Sequence, residues 1–285
     1  MKKILFISAL AWASIFSVSQ AETLKVGFVA DWEYGKQKKY DHKYPSKAKK
    51  YLNRAVNYYN STFMPDVVIG GGDYILSRGV KSKKAKKDLR TVNGIFKRAN
   101  ARRLYCIGNH DLFKMSKSSI REILEMENDY AFLDINGFRL ITLDTNDNAI
   151  GAGRIPDVEK SWLRETLKSD LPVIIFSHHS PIDTPNESSG GGTRVNLFES
   201  GTIRSILEEK GNVVAVFSGH RAINYSQEIN GISYVIINNL VDKKALGSFA
   251  TIDISKSDEE VVSVHVNQYG NRPASYDFSK TIISD

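Results

Sequence analysis

The chain has 285 residues, a formal net charge of +7 and one cysteine, so an intrachain disulfide is excluded and packing, with or without metal, must supply its stability. Its length suits one large domain with a sizeable core, and no apolar segment beyond the N-terminus approaches the length of a membrane span. Cys106 sits inside the apolar run 104–107 and reads as a buried thiol rather than a nucleophile.

From the N-terminus, Lys2 and Lys3 precede an apolar stretch over residues 4–18, and Ser19-Gln20-Ala21 fits a small-x-small cleavage site. This reads as a signal peptide over residues 1–21, too short for a retained span. The mature chain, 22–285, is expected to be one soluble domain, periplasmic or secreted, with no transmembrane anchor after cleavage.

Short runs rich in β-branched and aromatic residues at 24–30, 66–69, 104–107, 138–143, 173–176 and 213–217 predict buried strands, with three more at 234–237, 249–254 and 261–266. The spacing of Ala48, Tyr51, Leu52, Ala55, Val56 and Tyr59 predicts an amphipathic helix with lysines outside its apolar stripe. Segments 118–126, 158–167 and 202–209 repeat that spacing, the last stopping at Gly211. Alternating strands and helices predict an α/β fold; the final strands, with no helix between them, predict an antiparallel edge or a second sheet. The stretch 183–194, with Gly190-Gly191-Gly192, reads as a long loop of the kind that borders a site.

Charge is uneven: from Lys36 to Arg103 nineteen Lys and Arg stand against four Asp and Glu. A basic face attracting phosphate groups is one reading. The solvated faces of two surface helices is the other, and it is favoured because Lys-rich exposed helices are common.

The metal-capable residues stand directly after the predicted strands. Asp31 and Glu33 follow the first, Asp73 the second and Asn109-His110-Asp111 the third; His178 and His179 follow the fifth, and His220 the sixth. Open α/β sheets bind ligands outside the carboxyl ends of their strands, so these clusters are expected to converge on one crevice. Carboxylates, an amide oxygen and imidazoles without a thiolate suit borderline divalent ions, and a carboxylate between two ions bridges them for in-line phosphoryl displacement.

Asp31-Trp32-Glu33, Gly72-Asp73, Gly108-Asn109-His110-Asp111, Ser177-His178-His179 and Gly219-His220 resemble, in order, the five motifs of the calcineurin-like metallophosphoesterases. The resemblance implies a four-layer α/β/β/α sandwich holding one or two divalent metal ions (Mn, Mg, Fe or Zn, manganese favoured). It implies hydrolysis of a phosphodiester or pyrophosphate bond in a small, nucleotide-like phosphorylated substrate by metal-activated water. Asp31-Trp32-Glu33-Tyr34, residues 140–145, the segment 159–167 around Trp162, and Leu246-Gly247-Ser248-Phe249 are further similar to the manganese-dependent ADP-ribose/CDP-alcohol diphosphatases. By position, Asp73 bridges the metals, and Asn109, His178 and His220 complete one site. His110 is the general acid or transition-state stabiliser, with Asp111 holding its ring. Asp31 and Glu33 belong to the other site, and Tyr34, His179 and Arg221 are candidate substrate contacts.

That other site departs from the family pattern. Glu33 and Ala222 stand where histidines are usual, and Asn224, two residues on, is the nearest oxygen in sequence. A ligand-poor site favours magnesium or manganese over zinc. Three functions compete: an active phosphohydrolase, a degenerate member that binds metal or a phosphate ligand without turnover, and polyanion binding by the Lys-rich region. The run 81–87 has no interleaved aromatics, so no specific nucleic-acid partner is expected.

Overall fold

The computed structural model describes residues 22–146, 151–185, 193–194 and 196–282; the predicted signal peptide and Gly190-Gly191-Gly192 lie outside the described residues. In chain order the elements are β1 (Glu22–Val29), α1 (Ala48–Tyr58), β2 (Val67–Gly70), α2 (Ser82–Phe96), β3 (Arg102–Tyr105), α3 (Lys117–Leu124), β4 (Ala131–Ile135) and β5 (Phe138–Thr142). There follow α4 (Asp157–Leu167), β6 (Val173–Ser177), β7 (Thr184–Pro185), β8 (Thr193–Arg194), α5 (Ser200–Glu208), β9 (Val213–Ser218), β10 (Tyr225–Ile229) and β11 (Ile232–Ile236). The chain ends in β12 (Ala250–Lys256), β13 (Val261–Gln268) and β14 (Ala274–Thr281).

Among the described residues the strands form two six-stranded sheets, ordered β14-β13-β12-β1-β2-β3 and β10-β11-β9-β6-β5-β4, and β7 pairs only with β8. Strand periodicity sets the layers. Leu24, Val26 and Phe28 of β1 point between the sheets, where they meet Phe138, Ile174, Phe176 and Phe217. The rings of Phe28, Phe176 and Phe217 stack there, with successive centroids 5.7 and 5.5 Å apart. The opposite face of the first sheet carries Val29 and Val68 under α1, α2 and α3, and the outer face of the second carries Ile141, Ile175 and Val216 under α4 and α5. This is the four-layer α/β/β/α sandwich expected from the sequence.

Gly27 shows how closely α1 approaches its sheet: a Cβ there would lie 2.8 Å from the Tyr59 ring. The Tyr59 hydroxyl donates towards the carbonyls of Phe28 and Ala250 at 3.1 and 3.0 Å, tying the end of the helix to β1 and β12.

Of the final predicted strands, the one at 234–237 falls in β11 of the second sheet, and the others form the antiparallel edge that was one of the two arrangements expected. β12 pairs antiparallel with β1, and β13 and β14 extend the first sheet as its edge. β4 and β14 escape a hydrophobic-run reading because their residues alternate between half-buried and exposed. Exposed Lys81, Lys83 and Lys87 lie at the start of α2 while Ala85, Leu89, Val92 and Phe96 face the core, so this part of the Lys-rich region is a solvated helix face.

Candidate metal centre

β1, β2 and β3 run parallel, as do β5, β6, β9 and β11, so the carboxyl ends of both sheets open on one edge of the sandwich. The turns after β1 and β2 stay paired beyond the strands: Asp31 N–H donates to Gly72 O at 2.9 Å and Glu33 N–H to Asp73 O at 2.8 Å. Trp32 anchors the first turn, its ring buried against Tyr74 and Phe96 and its Nε1 donating to Val29 O at 3.0 Å. Four side chains of the centre sit on left-handed backbone, Asp31 (φ 53°), Glu33 (φ 39°), Asp73 (φ 54°) and His220 (φ 64°). Such geometry is costly for residues with a Cβ and marks turns shaped to aim their side chains.

Two glycines let the loops close. At Gly108 a Cβ would fall 2.1 Å from the Asp73 amide nitrogen and Oδ1, and at Gly72 (φ 88°) it would fall 2.7 Å from His178 Nδ1. Around that contact the donor atoms gather. His178 Nε2 lies 3.2 Å from Asn109 Oδ1, 3.3 Å from His220 Nδ1 and 3.4 Å from Asp73 Oδ2. His178 Nδ1 donates to Gly71 O at 2.8 Å, which aims Nε2 at the other three. Asp31 lies alongside, its Oδ2 accepting from the His220 N–H at 2.9 Å.

The electrostatics are those of crowded anions. Burial lifts Asp31 to about 8, with Asp73 and Glu33 adding to the lift against His178. Burial works against the charge on Asp73 too, but His178, His110 and His220 hold it well below the usual carboxylate range. Burial would lower His178, yet the Asp73 carboxylate outweighs it and lifts the ring to about 9. Burial and the neighbouring imidazoles hold His220 well below the usual range, which leaves it neutral for ligation. Asp31 Oδ1 is buried with no hydrogen-bond partner among the described residues, the kind of orphaned oxygen that a cation satisfies. Ligand atoms of Asp31, Asp73 and His178 lie within 4.8 Å of one another, as do those of His178, His179 and His220, and Asn109 Oδ1 lies 3.2 Å from His178 Nε2, so oxygen and imidazole donors suited to a divalent ion converge there.

His110 stands at the rim with its side chain 20% exposed, and its backbone N–H donates to Asp73 Oδ1 at 2.7 Å. Its ring is not supported by Asp111. That carboxylate turns under the loop, where it accepts from the amides of Asp73 (3.0 Å), Tyr74 (2.9 Å), Ile75 (3.3 Å) and Gly108 (3.1 Å). It thereby ties the turn after β2 to the turn after β3. Beside the His110 ring is Glu33, with Oε1 3.2 Å from Nδ1.

Glu33 has a second neighbour that sequence reasoning missed: the Lys43 ammonium donates to Glu33 Oε1. Burial opposes the charge on Lys43, but Glu33, then Asp31 and Asp73, raise it above the ordinary lysine range. The backbone fixes this lysine in place. Tyr40 and Lys43 exchange two hydrogen bonds (3.0 and 2.9 Å), Tyr44 N–H donates to Val241 O at 2.9 Å, and Lys243 N–H donates to His42 O at 2.7 Å.

The candidate substrate contacts fare unevenly. His179 is fully buried, with Nδ1 2.8 Å from Thr145 Oγ1 and Nε2 donating to Gly151 O at 3.0 Å, so both ring nitrogens are engaged behind the crevice. Burial and His178 push it down to about 3. Of the histidine pair, His178 therefore faces the donor set and His179 buttresses it. Tyr34 continues the β1–β2 pairing through Tyr34 N–H to Tyr74 O (3.0 Å), and its half-buried side chain packs on the helix-side core. Arg221 follows His220 in the same turn, its N–H donating to Gly219 O at 2.7 Å, and its charge helps depress His220. Asn224 is turned away: its Nδ2 donates to Arg272 O at 2.9 Å, and its Oδ1 accepts from Asn238 (2.9 Å) and Gln268 (2.6 Å).

Comparison with known proteins agrees with this geometry. The family model for calcineurin-like phosphoesterase matches residues 24–224. A curated protein of Rhodococcus erythropolis, described as a probable cyclic nucleotide phosphodiesterase, is 27% identical over 172 residues, covering 57% of this chain and 52% of that protein. The chain thus spans about half the length of that relative. Among solved structures, a dimetal phosphatase from Danio rerio superposes with a TM-score of 0.74 at 15% identity, over 91% of this chain and 99% of that one. GAP50, the anchor in the inner membrane complex of Plasmodium, superposes at 0.56 with 12% identity, over 92% and 90%. At such identities the two structures show the fold alone.

Proposed function

Because the chain belongs to the calcineurin-like phosphoesterase family, we propose that it hydrolyses a phosphodiester bond in a small nucleotide-like substrate, using a divalent cation held by Asp73, Asn109, His178 and His220. One observation carries the reading: of those four residues, drawn from the ends of β2, β3, β6 and β9, the donor atoms of Asp73, Asn109 and His220 lie within 3.4 Å of His178 Nε2. A cation bound there supplies Lewis acidity, neutralising phosphoryl oxygens and acidifying water. The chain's own groups do the rest. Asp73 holds the His110 backbone, and the His110 ring faces the crevice, placed to protonate the leaving oxygen or to donate to the transition-state oxygens. Arg221 and the exposed Lys36, Lys38 and Lys39 add positive potential that favours approach of an anionic substrate.

A phosphodiester ranks before a pyrophosphate because the curated relative is described as a probable cyclic nucleotide phosphodiesterase. Likeness to the diphosphatases rests on segments such as 31–34 and the stretch around Trp162, and Trp162 packs on Tyr130 away from the donor set. Manganese is the favoured ion, since a mixed oxygen and imidazole set with room for water suits it. Export through residues 1–21 completes the proposal, and fractionation finding the uncleaved chain in the cytosol would remove that part.

The test is turnover of metal-stripped protein reloaded with manganese, magnesium, iron or zinc, on bis-p-nitrophenyl phosphate, cyclic nucleotides, CDP-alcohols and ADP-ribose. Metal-dependent hydrolysis of the diesters, lost in Asn109→Ala, is expected. Bound metal with no turnover on any of these substrates would replace the proposal with a degenerate, ligand-binding member of the family.

A further inference from the structure

We propose that this chain fills its first metal position with its own lysine, so that the Lys43 ammonium stands in for one divalent ion and the centre takes a single metal. The inference rests on the reading of Asp73, Asn109, His178 and His220 as the site of that one metal.

Three features carry it. The first position is short of ligands: Glu33 Oε1 is bonded to Lys43, Ala222 offers no donor, and both ends of the Asn224 amide are committed elsewhere, which leaves Asp31 and the shared Asp73. A cation is already present among the carboxylates, since Lys43 Nζ donates to Glu33 Oε1 and lies in the field of Asp31 and Asp73. It is a built feature rather than a wandering surface chain, with its side chain 11% exposed and its backbone bridged to Asp242. An ammonium offers three N–H donors and charge but no coordination position, so it can neutralise a phosphoryl oxygen and does not acidify a water as a metal ion does.

The experiment counts ions. Native protein dialysed against manganese is expected to retain one ion per chain, with the electron paramagnetic resonance spectrum of an isolated ion. Lys43→Met removes the internal cation and leaves three carboxylates facing one another. It is expected to bind a second ion, giving a spin-coupled spectrum and a larger gain in melting temperature on adding manganese than native protein shows. Lys43→Arg keeps the charge and is expected to stay at one. Two coupled ions in native protein would overturn the inference while leaving the proposed hydrolysis standing, and that result needs no variant. A Lys43→Met protein that circular dichroism shows to be folded, yet still holding one ion, would overturn it equally. One ion in native protein and two in Lys43→Met, without turnover on any substrate, would uphold the inference and remove the hydrolase reading. No ion in native protein would remove both.

Discussion

In a His110→Ala variant the metal scaffold should survive while turnover collapses. The backbone amide of residue 110, not its ring, binds Asp73 Oδ1 at 2.7 Å, so alanine keeps the hydrogen bond that holds the carboxylate. Alanine gives up the approach of Nδ1 to Glu33 at 3.2 Å, the ring's electrostatic support of Asp73 and the tilted packing on Phe113, with ring centroids 5.4 Å apart. An aromatic pair of that kind contributes about 0.5–1.5 kcal/mol. In a domain of this size that is a fall of only a few degrees, at about 2–4 °C per kcal/mol. A general acid or transition-state donor is a different matter: its loss slows turnover about 100- to 10,000-fold, or roughly 3–5.5 kcal/mol at about 1.4 kcal/mol per decade. The assay pairs kcat on bis-p-nitrophenyl phosphate with metal analysis of the same sample. Unchanged metal content with a fall in that range is expected. A parallel loss of metal would make His110 a ligand, grouped with Glu33 and Asp73, and turnover within about tenfold of native would deprive the ring of any part in the chemistry.

Gly108→Ala places a Cβ 2.1 Å from the Asp73 amide and Oδ1, so metal retention after dialysis should fall sharply while the far-ultraviolet circular dichroism persists; full metal content would show that the turn has room. Glu159 is lifted from 4.5 to about 9 by burial, with the nearby Asp144 adding to the lift, while its Oε1 accepts from Asp144 N–H at 2.8 Å. The folded chain holds that proton where the unfolded chain has lost it, so the contribution to stability is complete below pH 4.5 and drains away as pH rises towards 9. From pH 5 to pH 8 the stability difference between Glu159→Gln and the native chain should therefore move in favour of glutamine, by on the order of a few kcal/mol. Parallel denaturation curves at the two pH values would contradict it. Tyr59→Phe removes the hydroxyl shared by Phe28 O and Ala250 O and should cost about 1 kcal/mol in urea denaturation. A variant as stable as the native chain would mean that water satisfies those carbonyls.

Much of the centre was legible because its residues follow apolar runs that only buried parallel strands produce. β2 reads VVIG and β6 reads VIIFS; Asp73 comes three residues after the first and His178 directly after the second. Buried strands announce themselves through both faces at once, whereas β4 and β14, half solvated, carry no such run. The choice between His178 and His179 turned on ring orientation, which depends on Gly71 O for one and on Thr145 and Gly151 for the other. The expected bond between Asp111 and His110 failed for a related reason. Four amides from two loops outcompete one imidazole for a buried carboxylate, and adjacency in sequence does not reveal that those loops meet.

Lys43 lay furthest from reach. In the sequence it is one of nineteen basic residues between Lys36 and Arg103, and its neighbours Lys36, Lys38 and Lys39 are indeed exposed. What singles it out is the pairing of its turn with the segment after β11, through Tyr44 to Val241 and Lys243 to His42. That pairing joins residues some two hundred positions apart, and no local pattern encodes it. The departures at Glu33 and Ala222 did carry a trace of it. An acid replacing a neutral imidazole adds negative charge where a cation loses a ligand, and a buried anion persists only with a partner. The partner such an anion calls for is a cation, and the Lys43 ammonium that donates to Glu33 Oε1 is one.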